Sequence, residues 1–324
     1  MKTYCIIFLF FVCNYFASAQ DYTSVDKVVA TYPSTFQSVE EFAKRIEKDF
    51  TTDADKVRAA YYWISNTITY NHKGLRTGRD PYPKIVIRDA VSQEDFEYKY
   101  NKRYAAYVLQ YKTAVCEGYS QLLFFTCEYM NIKAKVIEGN AMTDLRDIGK
   151  IPHDTDHAWN AVFFNEKWNL IDATWSTGNE EENPNAFDFT DSYFCIAPEK
   201  LILSHFPKNP KWQLLKEPKS KKEFYNQPII YEEFLRANAM LAPKMKGTIR
   251  AKINDSITLR FQQIDTTKSY FYAFSKDQYS TKVKIEKDKG GFILKIPFKG
   301  TKRDQLEIFR NTKGILAFRI IPTR

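Results

Sequence analysis

Cysteine is scarce in this chain of 324 residues, which contains five. Two of them, Cys5 and Cys13, lie in an N-terminal segment that we expect to be removed. Cys116, Cys127 and Cys195 remain, and because three is an odd number at least one thiol stays unpaired in a monomer. So few cysteines at this length exclude a small secreted fold held together by disulfides. The unpaired thiol is therefore either reactive or buried.

The apolar stretch at the N-terminus is too short to cross a membrane. It covers residues 4–16, whereas a spanning helix needs about 20 apolar residues. Lys2 precedes the stretch and Ala17-Ser18-Ala19 follows it, which is the pattern of a secretory signal peptide. We therefore predict cleavage after Ala19, no stable membrane insertion, and a periplasmic or extracellular location.

Runs of basic residues are also missing, although the net charge is +9. Lysine and glutamate are interspersed, so no segment is basic enough to follow a phosphate backbone, and no groove-reading motif accompanies the charge. The composition thus argues against a nucleic-acid partner. It favours a soluble surface with weak attraction to anionic polymers.

Helical spacing of apolar residues characterises the first half of the chain. It predicts helices over 38–50, from about Asp53, over 94–110, and from Cys116 to about residue 130. Glycine and proline within 73–91 indicate a loop.

Short strand-like segments follow. Residues 133–139, 158–164 and 168–174 are apolar and rich in β-branched or aromatic side chains. Seven further segments point to a small all-β sandwich: 248–253, 256–262, 270–274, 282–287, 292–297, 306–311 and 315–321. We predict an α+β protein with a signal peptide (1–19), a thiol core (20–215), a linker with a short helical patch at 231–240 (216–245) and the sandwich (246–324).

Cys116 and Cys127 differ in their expected surroundings. Cys116 lies where a loop enters a helix, and the unpaired N–H groups and dipole of a helix start favour a thiolate. Gly118 is expected to keep the first turn slim enough for a substrate backbone to approach the sulfur. Cys127 lies about 16 Å further along a continuous helix at about 1.5 Å per residue, too far for a disulfide to Cys116. Its apolar neighbours predict a buried core thiol.

His157 and Asp172 fall on a predicted hairpin whose turn is Asn165-Glu166. A two-residue loop pairs residues whose numbers sum to 331, which places His157 and Asp172 on the same face as diagonal neighbours. Asn160 then points to the opposite face and is not the orienting group. Asp172 is able to hold one imidazole nitrogen while the other accepts a thiol proton.

Three strings together resemble the transglutaminase-like superfamily: Cys116-Glu117-Gly118-Tyr119-Ser120, His157-Ala158-Trp159-Asn160 and Asp172-Ala173-Thr174-Trp175. The resemblance covers about residues 38–215, and exported bacterial members of the peptidase type are the most similar in pattern. It implies Cys116 as nucleophile, His157 as base and Asp172 as orienter. The implied fold is a papain-like α+β core in which the cysteine helix packs on an antiparallel sheet. The chain has no acidic calcium-loop sequence, and no cofactor is expected.

The oxyanion stabiliser is less clearly indicated. The backbone N–H of Cys116 is a natural donor. Gln110, six residues upstream, has the spacing of papain-like proteases and is a candidate second donor, with Trp63 and Tyr119 as alternatives.

The expected reaction is acyl transfer from a peptide or carboxamide carbonyl, with hydrolysis favoured over transfer to an amine. A protein or peptide is the expected substrate, and the β-sandwich is expected to contact a cell-surface or envelope polymer. Two other hypotheses compete with this one. In the first, the core is a non-catalytic binding scaffold. In the second, His153 and His157, four residues apart, bind a metal; the metal hypothesis needs a helix, which Pro152 disfavours.

Overall fold

The computed structural model describes residues 21–72, 74, 82–177, 189–243 and 245–323. The predicted signal peptide, 1–19, lies outside these residues, as does part of the predicted loop over 73–91. The described part of that loop, from residue 82 onward, forms no regular helix or strand before the helix that begins at Gln93.

Five helices occupy the N-terminal half of the described chain: α1 (Thr23–Val29), α2 (Val39–Asp49), α3 (Asp53–Thr67), α4 (Gln93–Tyr111) and α5 (Cys116–Tyr129). The predicted helices are present, and only α1 was missed. Side-chain caps explain where three of them begin, because Ser38, Thr52 and Ser92 each accept a hydrogen bond from a backbone N–H three residues on.

An antiparallel sheet packs against α5 in the order β5-β4-β3-β6. Its strands are β3 (Ala134–Ala141), β4 (His157–Phe164), β5 (Lys167–Ile171) and β6 (His205–Pro207). Asn160 lies opposite Ile171, so the hairpin has the predicted register with Asn165 and Glu166 in its turn. The third predicted strand, 168–174, ends earlier, because the chain turns at Asp172, whose carboxylate binds the next backbone N–H groups. The sequence patterns did not predict β6.

Two further sheets form the predicted sandwich. One has the order β13-β14-β10-β8; the other has the order β12-β11-β15-β16-β7, with β9 parallel to β16. Their strands are β7 (Ile229–Ile230), β8 (Met240–Leu241), β9 (Thr248–Lys252), β10 (Asp255–Gln263), β11 (Tyr270–Phe274), β12 (Thr281–Val283), β13 (Ile285–Asp288), β14 (Gly291–Phe298), β15 (Asp304–Arg310) and β16 (Lys313–Thr323). All seven predicted strands occur, but the segment 282–287 is divided between both sheets. The α+β class is thus confirmed.

The predicted linker contributes to the fold. Within it lie two short helices, α7 (Lys221–Tyr225) and α8 (Glu232–Arg236), after a four-residue helix α6 (Pro198–Leu201). The helix expected over 231–240 is therefore shorter, and β7 and β8 on either side of α8 each extend one sheet of the sandwich. Apolar side chains of both halves form one buried cluster, since Trp159 and Leu170 belong to it together with sandwich residues such as Leu259. The exact domain boundaries stay a prediction.

The helices that the structure describes include none with the length and apolarity that membrane crossing requires.

Candidate active site

Cys116 is the first residue of α5 and is 8% exposed. A parallel pair of short strands, β1 (Thr69–Tyr70) and β2 (Thr113–Ala114), leads into it and places Tyr70 beside the helix start. Gly118 has a packing role that the sequence did not reveal. A Cβ there would lie within 3 Å of Ala114, Val108 and Tyr104, so glycine allows α5 to pack on α4. Its predicted role in substrate access stays a prediction.

The three described cysteines are all free, and they differ in their surroundings. Burial raises the pKa of both Cys127 and Cys195 to about 12. Cys127 lies in the hydrophobic core, as predicted. Cys116 alone stands beside a histidine and a carboxylate.

His157, the first residue of β4, and Asp172, just beyond β5, meet as the hairpin register requires. The distance between His157 Nε2 and Asp172 Oδ2 is 2.6 Å, and both side chains are buried. This bond uses one ring nitrogen and leaves Nδ1 for Cys116, whose side chain hydrogen-bonds His157. Asn160 points away, as predicted, and donates instead to the backbone carbonyl of Ser120 at 3.0 Å.

Helix α3 and local hydrogen bonds fix the turn that carries Asp172. Ser65 Oγ donates to the Ala173 carbonyl at 3.0 Å, and Ser176 Oγ donates to the Asp172 carbonyl at 2.8 Å. Oδ1 of Asp172 accepts the backbone N–H groups of Thr174 at 2.8 Å and Trp175 at 3.0 Å. The orientation of the carboxylate is therefore set by the turn itself.

Electrostatics in this buried site favour a charged pair. Burial alone disfavours both charged forms, but the Asp172 carboxylate and the Cys116 side chain outweigh it and raise the pKa of His157 to about 10. For Asp172, burial is outweighed by the charge of His157 and the hydrogen bonds from His157 and His205, which hold its pKa well below the usual range. The site thus stabilises an imidazolium facing a carboxylate.

His205 is a fourth member of the site that the sequence patterns did not reveal. Its Nε2 lies 3.0 Å from the same Oδ2 atom of Asp172, and its Nδ1 lies 2.8 Å from Ser204 Oγ. Burial, more than any neighbouring charge, lowers its pKa to about 4. One signal was available: the chain has four histidines, and His205 lies in an otherwise apolar segment.

Of the three side chains predicted as oxyanion donors, one is exposed and two hydrogen-bond backbone carbonyls. Gln110 is exposed on the last turn of α4. Trp63 Nε1 donates to the Pro33 carbonyl at 3.1 Å, and the Tyr119 hydroxyl donates to the Ile68 carbonyl at 2.5 Å. The hydroxyl oxygen of Tyr70, which was not predicted, accepts a hydrogen bond from the backbone N–H of Cys116. Alternation along the segment after Ile68 was the only sequence signal for Tyr70.

The competing metal hypothesis placed His153 and His157 on one face, and the structure does not bring them together. His153 is exposed in a bend before β4, and His157 turns inward to Asp172. His157, Asp172 and His205 do offer three ligand atoms within 4.8 Å of one another. Tetrahedral zinc with bonds of about 2.1 Å would separate two ligands by about 3.4 Å. The 2.6 Å from His157 Nε2 to Asp172 Oδ2 is instead a hydrogen-bond distance.

A buried cysteine at a helix start, a histidine opening a strand and an aspartate closing a hairpin define a thiol site of the Cys–His–Asp type. Residues 40–173, which contain all three, match the model of the Transglutaminase-like superfamily. Over this segment the chain is similar to that superfamily.

Two curated relatives extend the similarity. The human (Homo sapiens) kyphoscoliosis peptidase is 25% identical over 89% of this chain and 40% of its own length. The Lim and transglutaminase domain protein ltd-1 of Caenorhabditis elegans is 24% identical over 70% of this chain and 31% of its own length. The chain thus spans well under half of each. A solved structure described as a TGase is 19% identical, with a TM-score of 0.27, over 50% of this chain and 35% of that one.

Proposed function

We propose that the protein is a thiol enzyme that breaks peptide or carboxamide bonds through a thioester on Cys116. The observation that carries the proposal is the 2.6 Å bond from His157 Nε2 to Asp172, which leaves Nδ1 facing the thiol. Imidazole held in this way accepts the thiol proton and later returns it.

The reaction follows from these positions. The proton of the Cys116 thiol passes to His157, and the thiolate attacks the carbonyl carbon, forming a C–S bond and an oxyanion. The C–N bond then breaks as His157 protonates the departing amine. A water molecule that gives a proton to His157 attacks the thioester, the C–S bond breaks, and the acid leaves with the thiolate restored.

The oxyanion needs donors at the start of α5. The backbone N–H of Cys116 is one, and we assign the Tyr70 hydroxyl as the second because it hydrogen-bonds that same N–H. Small movements of Tyr70 would let a carbonyl oxygen take its place while its O–H turns to the developing charge.

Hydrolysis is proposed over transfer to an amine. Support comes from the name of the human relative, a peptidase, which is similar to 89% of this chain. Incubation with casein and a fluorescent primary amine distinguishes the two, because hydrolysis releases peptides whereas transfer labels the protein. Amine incorporation without cleavage, read by mass spectrometry, would replace hydrolysis with cross-linking.

Thiol labelling tests the enzyme proposal itself. Iodoacetamide should modify Cys116 well below pH 8, and His157→Ala should remove that reactivity. Cys127 and Cys195 provide internal controls in the same digest, because the raised pKa of each, about 12, keeps the thiol protonated and it should stay unlabelled. A Cys116 that reacts like a free thiol, with and without His157, would exclude the mechanism.

A scaffold role is the second candidate function. The C. elegans relative is named for a Lim domain and a transglutaminase domain and not for an enzymatic activity, which supports this candidate. If the protein is a scaffold, the Cys116→Ser variant should still function in cells. If it is an enzyme, that variant should fail to function.

Export and contact with an anionic polysaccharide are proposed for the whole protein. The signal-peptide pattern predicts a mature N-terminus at Gln20, which mass spectrometry of the purified protein would check. A pocket of about 320 Å³ lies between the core and the sandwich, and four basic residues, Arg146, Lys150, Arg303 and Arg319, line it together with one acidic residue, Asp304. Sedimentation with polygalacturonate should weaken in Lys150→Glu/Arg303→Glu but not in Lys289→Glu on another loop. Equal binding by all three proteins would contradict the polymer contact.

A further inference from the structure

One carboxylate oxygen of Asp172 lies within hydrogen-bond distance of two histidines. Nε2 of His157 lies 2.6 Å from Oδ2, and Nε2 of His205 lies 3.0 Å from it. The two rings stand 5.1 Å apart, and the side chain of His205 is fully buried. His205 belongs to β6, beyond the segment 40–173 that the superfamily model matches.

Only one of these imidazoles is expected to carry a charge. Two imidazolium ions on one carboxylate would leave a net positive charge inside the protein, which burial strongly disfavours. His157 faces Cys116, which becomes an anion in the reaction. His205 instead lies among aromatic rings, with centroids 4.4 Å from Trp175, 5.2 Å from Trp159 and 6.0 Å from Tyr193. These surroundings favour the charged form of His157 and the neutral form of His205.

The tautomer of His205 follows from its neighbours. A neutral imidazole has one N–H, and Oδ2 of Asp172 is able only to accept while ionised. Nε2 of His205 therefore carries the hydrogen, and Nδ1 accepts the Ser204 hydroxyl at 2.8 Å. Both polar atoms of this buried ring are thus satisfied.

We propose that His205 is a positioning residue: a neutral imidazole that donates to the oxygen of Asp172 shared with His157 and so holds the catalytic carboxylate in place. The inference rests on the proposed thiol mechanism. With the backbone N–H groups of Thr174 and Trp175, Asp172 accepts four hydrogen bonds. Such a carboxylate is restrained in both position and rotation, and its charged form is stabilised without removing the bond to His157.

Other titratable groups lie near this pair. Tyr61, Tyr70 and Tyr193 face Asp172 from helix α3, from β1 and from the turn after residue 190, and burial raises the pKa of all three. Asp156, which precedes β4, acts on His205 at longer range. The tyrosines stay neutral over the acidic range, so a change there reports on the carboxylate and the histidines.

The test compares His205→Phe with His205→Gln in the full-length protein. Phenylalanine keeps the aromatic packing and removes the N–H donor, whereas glutamine keeps an amide donor near the position of Nε2. Cys116 alkylation is measured against pH, together with thermal unfolding. We expect His205→Phe to slow alkylation at its optimum by about tenfold. In the plot of its alkylation rate against pH, the acidic limb should move to higher pH by about one unit, as expected for one lost hydrogen bond to a charged group. His205→Gln should recover most of both effects.

Tyr193→Phe is the matched control, because this ring also contacts Trp175 and His205 but its hydroxyl does not bind Asp172. Wild-type profiles in both His205 variants would overturn the inference, and equal loss in both would reduce His205 to a packing residue. Failure of the thiol mechanism is recognised separately, because wild-type labelling would then be insensitive to His157→Ala. If His205→Phe does not fold, ¹⁵N spectra of labelled histidine in wild type still decide the matter. They should show a neutral, Nε2-protonated ring that is missing from His205→Gln, and a doubly protonated His205 would contradict the assignment.

Discussion

Asn160 of β4 donates its side-chain N–H to the backbone carbonyl of Ser120 on α5 at 3.0 Å, with both residues buried. Ser120 lies one helical turn beyond Cys116, and Asn160 lies three residues beyond His157 on the opposite face of the strand. This bond therefore fixes the cysteine helix against the strand that carries the histidine. It explains how an asparagine that does not touch the thiol still determines where the thiol lies relative to its base.

Replacing Asn160 should disturb both stability and reactivity. Asn160→Ala removes a buried hydrogen bond, and we expect a loss of about 1–3 kcal/mol in the free energy of unfolding. Cys116 alkylation should slow as well, because the helix is no longer held at one distance from His157. The control is Asn169→Ala, since Asn169 is equally buried but bonds carbonyls of its own hairpin. Equal alkylation rates in the two variants would contradict a role for Asn160 in aligning the site.

Gly118 should not tolerate a methyl group. The added carbon of Gly118→Ala would lie 2.6 Å from Ala114, 2.8 Å from Val108 and 2.9 Å from Tyr104. Overpacking of this kind costs about 1–3 kcal/mol, more than the about 1 kcal/mol that alanine adds to helix propensity. Urea denaturation should therefore show a lower midpoint, and an unchanged midpoint would mean that α4 and α5 separate easily.

Tyr70→Phe tests the oxyanion donor. Removing a hydroxyl that binds the developing charge should lower the acylation rate by roughly 10²-fold while leaving substrate affinity nearly unchanged. Tyr119→Phe is the matched control, because its hydroxyl donates to the Ile68 carbonyl and should affect stability alone. Single-turnover kinetics on a peptide ester separate the two, and an unaffected rate in Tyr70→Phe would remove Tyr70 from the mechanism.

Stability should fall on both sides of about pH 6.5, for opposite reasons. The pKa of His157 is raised to about 10, so its contribution is complete below pH 6.5 and is lost as the pH rises through 10. The pKa of His205 is lowered to about 4, so the unfolded chain binds a proton between pH 6.5 and 4 that the folded protein does not. That difference lowers the free energy of unfolding by about 3 kcal/mol between pH 6.5 and pH 4.

Urea titrations at several pH values would measure how the free energy of unfolding declines on the acidic and on the alkaline side. His205→Gln lacks the titrating ring and should show a shallower acidic decline than wild type, while its alkaline decline should be unchanged. An acidic decline of the same slope in both proteins would assign the loss to carboxylates instead.

Local pattern in the sequence was sufficient for much of the site. A two-residue hairpin turn pairs residues whose numbers sum to 331, which placed His157 and Asp172 on one face. The structure has that register. The apolar neighbours of Cys127 correctly predicted a core thiol. Helix starts were equally local, because a capping side chain lies three residues from the N–H that it binds.

Other features depend on long-range contacts. Gln110 has a suggestive spacing from Cys116, and the end of α4 leaves it exposed, so its role as an oxyanion donor stays a prediction. The segment 216–245 is polar enough to suggest a linker, but β7 and β8 within it are two residues each and exist only because sandwich strands pair with them. Gly118 was correctly noticed, but its packing partners belong to another helix and to β2.

By itself, then, the sequence determined the α+β class and the shared face of His157 and Asp172, because each depends on periodicity or on a turn of fixed length. Only the tertiary structure decided that His205 hydrogen-bonds the carboxylate of Asp172 and that Tyr70 lies beside the start of α5. His205 lies 33 residues from Asp172 on a strand of three residues, too short to show any alternation. No local rule relates residues so far apart, and their contact arises only when β6 pairs with β3 and closes the buried site.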